Sequence, residues 1–69
     1  MAQMKVFLNG KKIKVDNNLT AEQLLANMGY RDKRIAIEIN GEVIPKSELS
    51  NKIIVENDKV EIIVAVGGG

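Results

Sequence analysis

Three consecutive glycines, Gly67, Gly68 and Gly69, stand at the end of the sequence directly after an alternating apolar stretch. Glycine has no Cβ, so such a run can thread a narrow tunnel in extended form. It also leaves the last carbonyl carbon open to attack from either face. Three residues reach roughly 10 Å, enough to carry that carbon off a domain surface. An α-carboxyl is ionised at neutral pH and is therefore a poor electrophile. Adenylation with ATP and magnesium on another protein would activate it. A sulfur nucleophile displacing AMP would then leave –C(=O)S⁻, a soft anion that can be passed to an electrophilic acceptor.

Other chemistries find little support. The sequence has no cysteine and no histidine, which removes disulfides, Cys/His metal sites, thiol nucleophiles and imidazole acid–base catalysis. The glycine run precedes no helix, so it is not a phosphate-binding loop. The carboxylates of Glu22, Asp32, Glu38, Glu48 and Asp58 are expected on turns and solvent faces, with no pair set for acid–base work. Net charge is +1, without the basic excess of a nucleic-acid binder. The basic groups Lys11-Lys12 and Arg31 with Lys33-Arg34 are expected as solvated turn residues. No apolar run approaches the length of a membrane span and no signal-peptide pattern opens the chain, so a cytoplasmic monomer without bound cofactor or metal is expected. With 69 residues, one domain is the limit and a deep self-made pocket is disfavoured.

The elements that would position the tail follow from pattern. Met4, Val6 and Leu8 alternate with Lys5 and Phe7, as in a half-buried strand. Asn9-Gly10 is a tight hairpin signal, and Ile13 and Val15 continue as the second strand. Thr20 and Gln23 form a capping box, with Leu19 and Leu24 as its hydrophobic staple. Ala21, Leu24, Leu25 and Met28 then give a helix one buried face, and Gly29 ends it. Ile35, Ile37 and Ile39 make a third strand. Asn40-Gly41 is a second tight turn before Val43 and Ile44, and Pro45 stops that short strand. Ser47 to Leu49 predicts an irregular turn, and Ile53 to Val55 a short extended piece. After an Asn57-Asp58 turn, Val60, Ile62, Val64 and Val66 form the last strand.

One helix with one apolar stripe covers one face of one sheet. The strongly apolar last strand belongs in the sheet interior, beside the first. The expected class is α+β: a β-grasp, or ubiquitin-like, mixed sheet of four to five strands with one main helix on one face. It would span residues 1–66, with 67–69 as a flexible tail. Parity sends Phe7, Ile63 and Ala65 to the open face. Together with Val66 they form a candidate partner-docking patch. Tyr30 is expected to pack beside the helix end.

The chain resembles the ThiS family, the sulfur carriers of thiamine-thiazole biosynthesis. The resemblance runs from Met4 to Gly69 and rests on five stretches: the Asn9-Gly10 turn, the helix opening Thr20 to Leu25, the run Ala36 to Glu48, the turn and strand Asp58 to Ile62, and the ending Val66 to Gly69. Lys46 stands where arginine is usual, Leu49 where tryptophan is frequent, and Asn57 where glycine is usual. The resemblance implies that an E1-like enzyme adenylates Gly69, that a persulfide-bearing donor supplies sulfur, and that the thiocarboxylate passes it to thiazole synthase. Gly67, Gly68 and Gly69 would occupy the partner active sites. The carrier would be a cosubstrate, with ATP and magnesium used by its activating partner. Alternatives that share the ending are the small sulfur-carrying subunit of molybdopterin synthase, a carrier for tRNA thiolation, a ubiquitin-like protein modifier, and an interaction domain with an inert tail.

Overall fold

Alternation in the first strand and the two Asn-Gly turns already dictate how the sheet starts and where it folds back. A computed structural model describes residues 2–30 and 34–64. The order is β1 (Gln3–Leu8), β2 (Lys11–Asp16), α1 (Ala21–Asn27), β3 (Ile35–Ile39), β4 (Glu42–Val43), a 3₁₀ turn (Lys46–Glu48) and β5 (Lys59–Val64). The sheet runs β2-β1-β5-β3-β4. β5 lies at its centre, parallel to β1 and antiparallel to β3. This is the mixed five-stranded sheet with one helix that the pattern predicts.

Both Asn-Gly turns place their residues at positive φ, 49° and 85° for Asn9-Gly10 and 55° and 85° for Asn40-Gly41. That geometry matches the twist of the flanking strands, and Asn and Gly tolerate it best. The helix opens with the predicted capping box. Thr20 Oγ1 accepts from Gln23 N at 3.1 Å, and Gln23 Oε1 accepts from Thr20 N at 2.9 Å. It closes with a Schellman motif: Tyr30 N donates to Leu25 O at 2.9 Å and Gly29 N to Ala26 O at 3.1 Å, with Gly29 at φ 83°. Only glycine adopts that φ without strain.

Val6, Ala21, Leu24, Ile37, Ile54 and Val60 are at most 1% exposed and centre the core between helix and sheet. Tyr30 and Leu49 pack at its margin. Met28 departs from its expected place on the buried face and is 43% exposed. It is the C-cap, at φ −88° and ψ 0°, so the chain leaves helical geometry there and carries the side chain off the sheet. Ile53 to Val55 forms no full strand. Only a single bridge, Thr20 with Ile53, holds it to the helix start, while Ile54 enters the core. Ala65 and Val66, expected to continue the last strand, lie outside the described residues.

A core this small supplies only about 3–5 kcal/mol. Truncating one central leucine costs roughly 2–5 kcal/mol. Leu24→Ala is therefore expected to leave the chain largely unfolded at room temperature. Urea denaturation followed by circular dichroism checks it; a variant with a full cooperative transition would show that Leu24 is not central.

Candidate functional site

The chemistry expected of this chain lies beyond β5, so the site begins with what holds that strand. Backbone pairing with β1 is short. Phe7 stands opposite Lys59 and Leu8 opposite Val60, and there β1 ends. Asn9 continues the ladder. Its backbone N donates to Val60 O at 2.8 Å. Its side-chain Oδ1 accepts from Ile62 N at 2.8 Å, and its Nδ2 donates more weakly to Ile62 O at 3.5 Å. One amide side chain thus meets both polar backbone groups of Ile62, as a next strand residue would.

Asn40 does the same from the β3 side. Its backbone N donates to Lys59 O at 2.8 Å, and its Oδ1 accepts from Lys59 N at 2.9 Å. Its Nδ2 donates to Asp58 Oδ1 at 2.9 Å, while Asp58 Oδ2 accepts from Val55 N at 2.9 Å. Asp58 is only 5% exposed. This corrects its expected place on a solvent face: both carboxylate oxygens are committed to donors, which is what makes burial of the group tolerable. Position alone, after an asparagine in a turn, reads as solvent-facing. The signal is the pairing with Asn40 across the sheet, which no local pattern carries.

Phe7 and Ile63 both lie on the face away from the helix, as parity predicts. The structure does not bring them together. Phe7 sits opposite Lys12 on β2 and Lys59 on β5, whereas Ile63 pairs with Ala36 on β3. Ile63 lies four positions along β5 from Lys59, roughly 13 Å at strand rise. Ile63 is 51% exposed and Phe7 half-buried. The expected single cluster therefore divides into an aromatic spot among lysines and an aliphatic spot toward the tail. Ala65, Val66, Gly67, Gly68 and Gly69 lie outside the described residues. Gly69 is five positions beyond Val64, and covalent geometry limits that reach to about 17 Å. Among the described residues no group of three or more His, Cys, Asp or Glu side chains could hold a metal ion, and no helix is long and apolar enough to cross a membrane.

The sequence profile of the ThiS family matches residues 1–69. The chain belongs to the ThiS family. The sulfur carrier protein ThiS of Bacillus subtilis is 35% identical over 63 residues, covering 90% of this chain and 96% of that one. The crystal structure of the thiamine biosynthesis protein ThiS from Geobacter metallireducens superposes with a TM-score of 0.82 at 29% identity, covering 96% of this chain and 100% of that chain. A thiazole synthase of Paramagnetospirillum magneticum is 35% identical over 66 residues, 96% of this chain. This chain spans only 20% of that synthase's length. The ThiS-family β-grasp fold and membership expected from the five matching stretches are both met.

The two asparagines allow a graded test. Replacement by glycine keeps the positive φ and removes only the amide. Asn40→Gly strips a donor from the buried Asp58 and is expected to cost about 2 kcal/mol; Asn9→Gly touches a half-exposed ladder and is expected to cost about 1 kcal/mol. Chemical denaturation of both variants checks the order. Equal or reversed costs would mean that Asp58 does not depend on Asn40.

Proposed function

We propose that this chain is a sulfur carrier of thiamine biosynthesis whose reactive group is the carboxylate of Gly69. The observation that carries the reading is the ThiS-family match, which includes Gly67, Gly68 and Gly69. An E1-like enzyme would use ATP and magnesium, with the Gly69 carboxylate oxygen attacking the α-phosphorus and pyrophosphate leaving. A sulfur nucleophile at the sulfide level would then attack the acyl carbon and expel AMP, leaving the thiocarboxylate. A persulfide-bearing protein is the proposed source of that sulfur, with a thiol reductant attacking the persulfide's inner sulfur to release the outer one as sulfide and ending as a disulfide.

The domain's part is that of a handle. With no cysteine and no histidine, its side chains offer neither a thiol for the sulfur nor an imidazole for the proton transfers. Both are left to partners, and the carrier is a cosubstrate rather than an enzyme. Thiazole synthase is the proposed acceptor. Support comes from the ThiS-like fifth of the synthases of Paramagnetospirillum magneticum and Magnetococcus marinus, where a carrier-like part and a synthase share one polypeptide. Dependence on ATP places the proposed cycle in the cytoplasm.

Incubation with the E1-like enzyme, ATP, magnesium and sulfide, followed by intact mass measurement, tests the reading. The expected gain is one sulfur replacing one oxygen, mapped to Gly69. A chain lacking Gly68 and Gly69 is expected to fold unchanged and to gain nothing. No gain by the full chain, with an enzyme shown active on another carrier, would overturn the proposal.

A further inference from the structure

Both hairpin turns place glycine directly after asparagine, the order in which a side-chain amide is most open to attack by its own backbone. Glycine has no Cβ, so the N of Gly10 or Gly41 can close on the Cγ of the asparagine before it. The bond from that N to Cγ forms and the Cγ–Nδ2 bond breaks. The proton on the glycine N leaves with Nδ2 as ammonia, and the product is a five-membered succinimide. Water then opens the ring at Cγ, giving aspartate, or at the main-chain carbonyl, giving isoaspartate. Water is the only co-reactant.

Folding restrains this reaction at both turns. Ring closure needs a ψ far from the left-handed value of roughly +47° that goes with the positive φ of Asn9 and Asn40. The asparagine must leave its turn geometry, so its side chain must first let go of β5. In two respects the turns match. Each backbone N donates to a β5 carbonyl at 2.8 Å, and each Oδ1 accepts from a β5 amide, at 2.8 Å for Asn9 and 2.9 Å for Asn40. They differ at Nδ2, the nitrogen that has to depart. Asn40 Nδ2 donates to the Asp58 carboxylate at 2.9 Å, and Asp58 is buried. Release of Asn40 leaves that charge short of a donor, a heavier cost than losing a bond between neutral groups. Asn9 Nδ2 has only the long 3.5 Å contact with Ile62 O.

We infer that Asn9-Gly10 is a site of spontaneous deamidation in the folded carrier, and that Asp58 spares Asn40-Gly41. Conversion removes the chain's single net positive charge. Aspartate at position 9 turns an acceptor toward Ile62 O, where Nδ2 stood. Isoaspartate also lengthens the backbone of a two-residue turn by one carbon, which disturbs the pairing of Leu8 with Lys11. Either product weakens the brace at Ile62, so the converted chain is an aged form with a looser β5.

Storage of the full chain at mildly alkaline pH and physiological temperature, followed by tryptic peptide mapping, tests the inference. Cleavage after lysine and arginine puts the two turns in separate peptides, residues 6–11 and 35–46. The native chain is expected to exchange amide NH2 for OH at Asn9 at least about fivefold faster than at Asn40. The guanidinium-unfolded chain is expected to convert both at similar rates, because both are followed by glycine. The Ile62 amide should exchange with solvent faster in the converted chain than in the fresh one. Equal or reversed rates in the native chain overturn the inference. So does the same gap in the unfolded chain, which would assign it to local sequence rather than to Asp58. A native chain intact at both turns long after the unfolded chain has converted fully overturns it as well.

Discussion

Everything this domain can deliver to a partner depends on β5 being held on both sides while its β1 neighbour runs out. Two asparagine side chains solve that problem. Asn9 stands in for the missing strand residue beside Ile62, and Asn40 bonds Lys59 while supplying the buried Asp58 with a donor. Each asparagine also occupies the positive-φ position of a hairpin turn. The residue type that permits the turn is thus the one whose amide reaches sideways to the central strand. Aspartate would permit the turn but could not donate, and glycine would permit it without a side chain.

The arrangement suits a chain whose chemistry is proposed to happen elsewhere. A domain of this size has little stability in reserve. It puts its apolar surface into one helix–sheet core and ties the central strand with side-chain amides rather than with longer pairing. The parallel β1–β5 contact is two residue pairs long in register, yet backbone and asparagine bonds extend it from Asp58 to Ile62. The strand therefore stays in the sheet to within a few residues of the glycines. A base held as far as Val64 would limit the volume open to the proposed reactive carbon.

Most of the architecture was legible because its signals are local. The capping box, the Gly29 stop and both Asn-Gly turns are each written within four residues, and the alternation of Met4, Val6 and Leu8 against Ile35, Ile37 and Ile39 assigns the buried face. What escaped is set by distant partners. Asp58 looks like a turn carboxylate until Asn40 is beside it. Ile54 lies in a stretch too short to show a period, yet it is among the most buried residues. Parity correctly placed Phe7 and Ile63 on one face but cannot measure distance along it. Only the register of β5 against β1 and β3 separates them. The glycine run suggests an activated C-terminal carboxylate by its composition, and it falls within the ThiS-family match over residues 1–69.

Native-state hydrogen exchange at the amides of Lys59 and Ile62 tests the account most directly, since each donates to an asparagine side chain. If the two asparagines hold β5 as described, both amides exchange only through global unfolding, as slowly as the core amides Val6 and Ile37. If Ile62 exchanges by local opening, orders of magnitude faster than the core, then β5 frays from the sheet before the tail begins and the firm base assigned to this carrier does not exist.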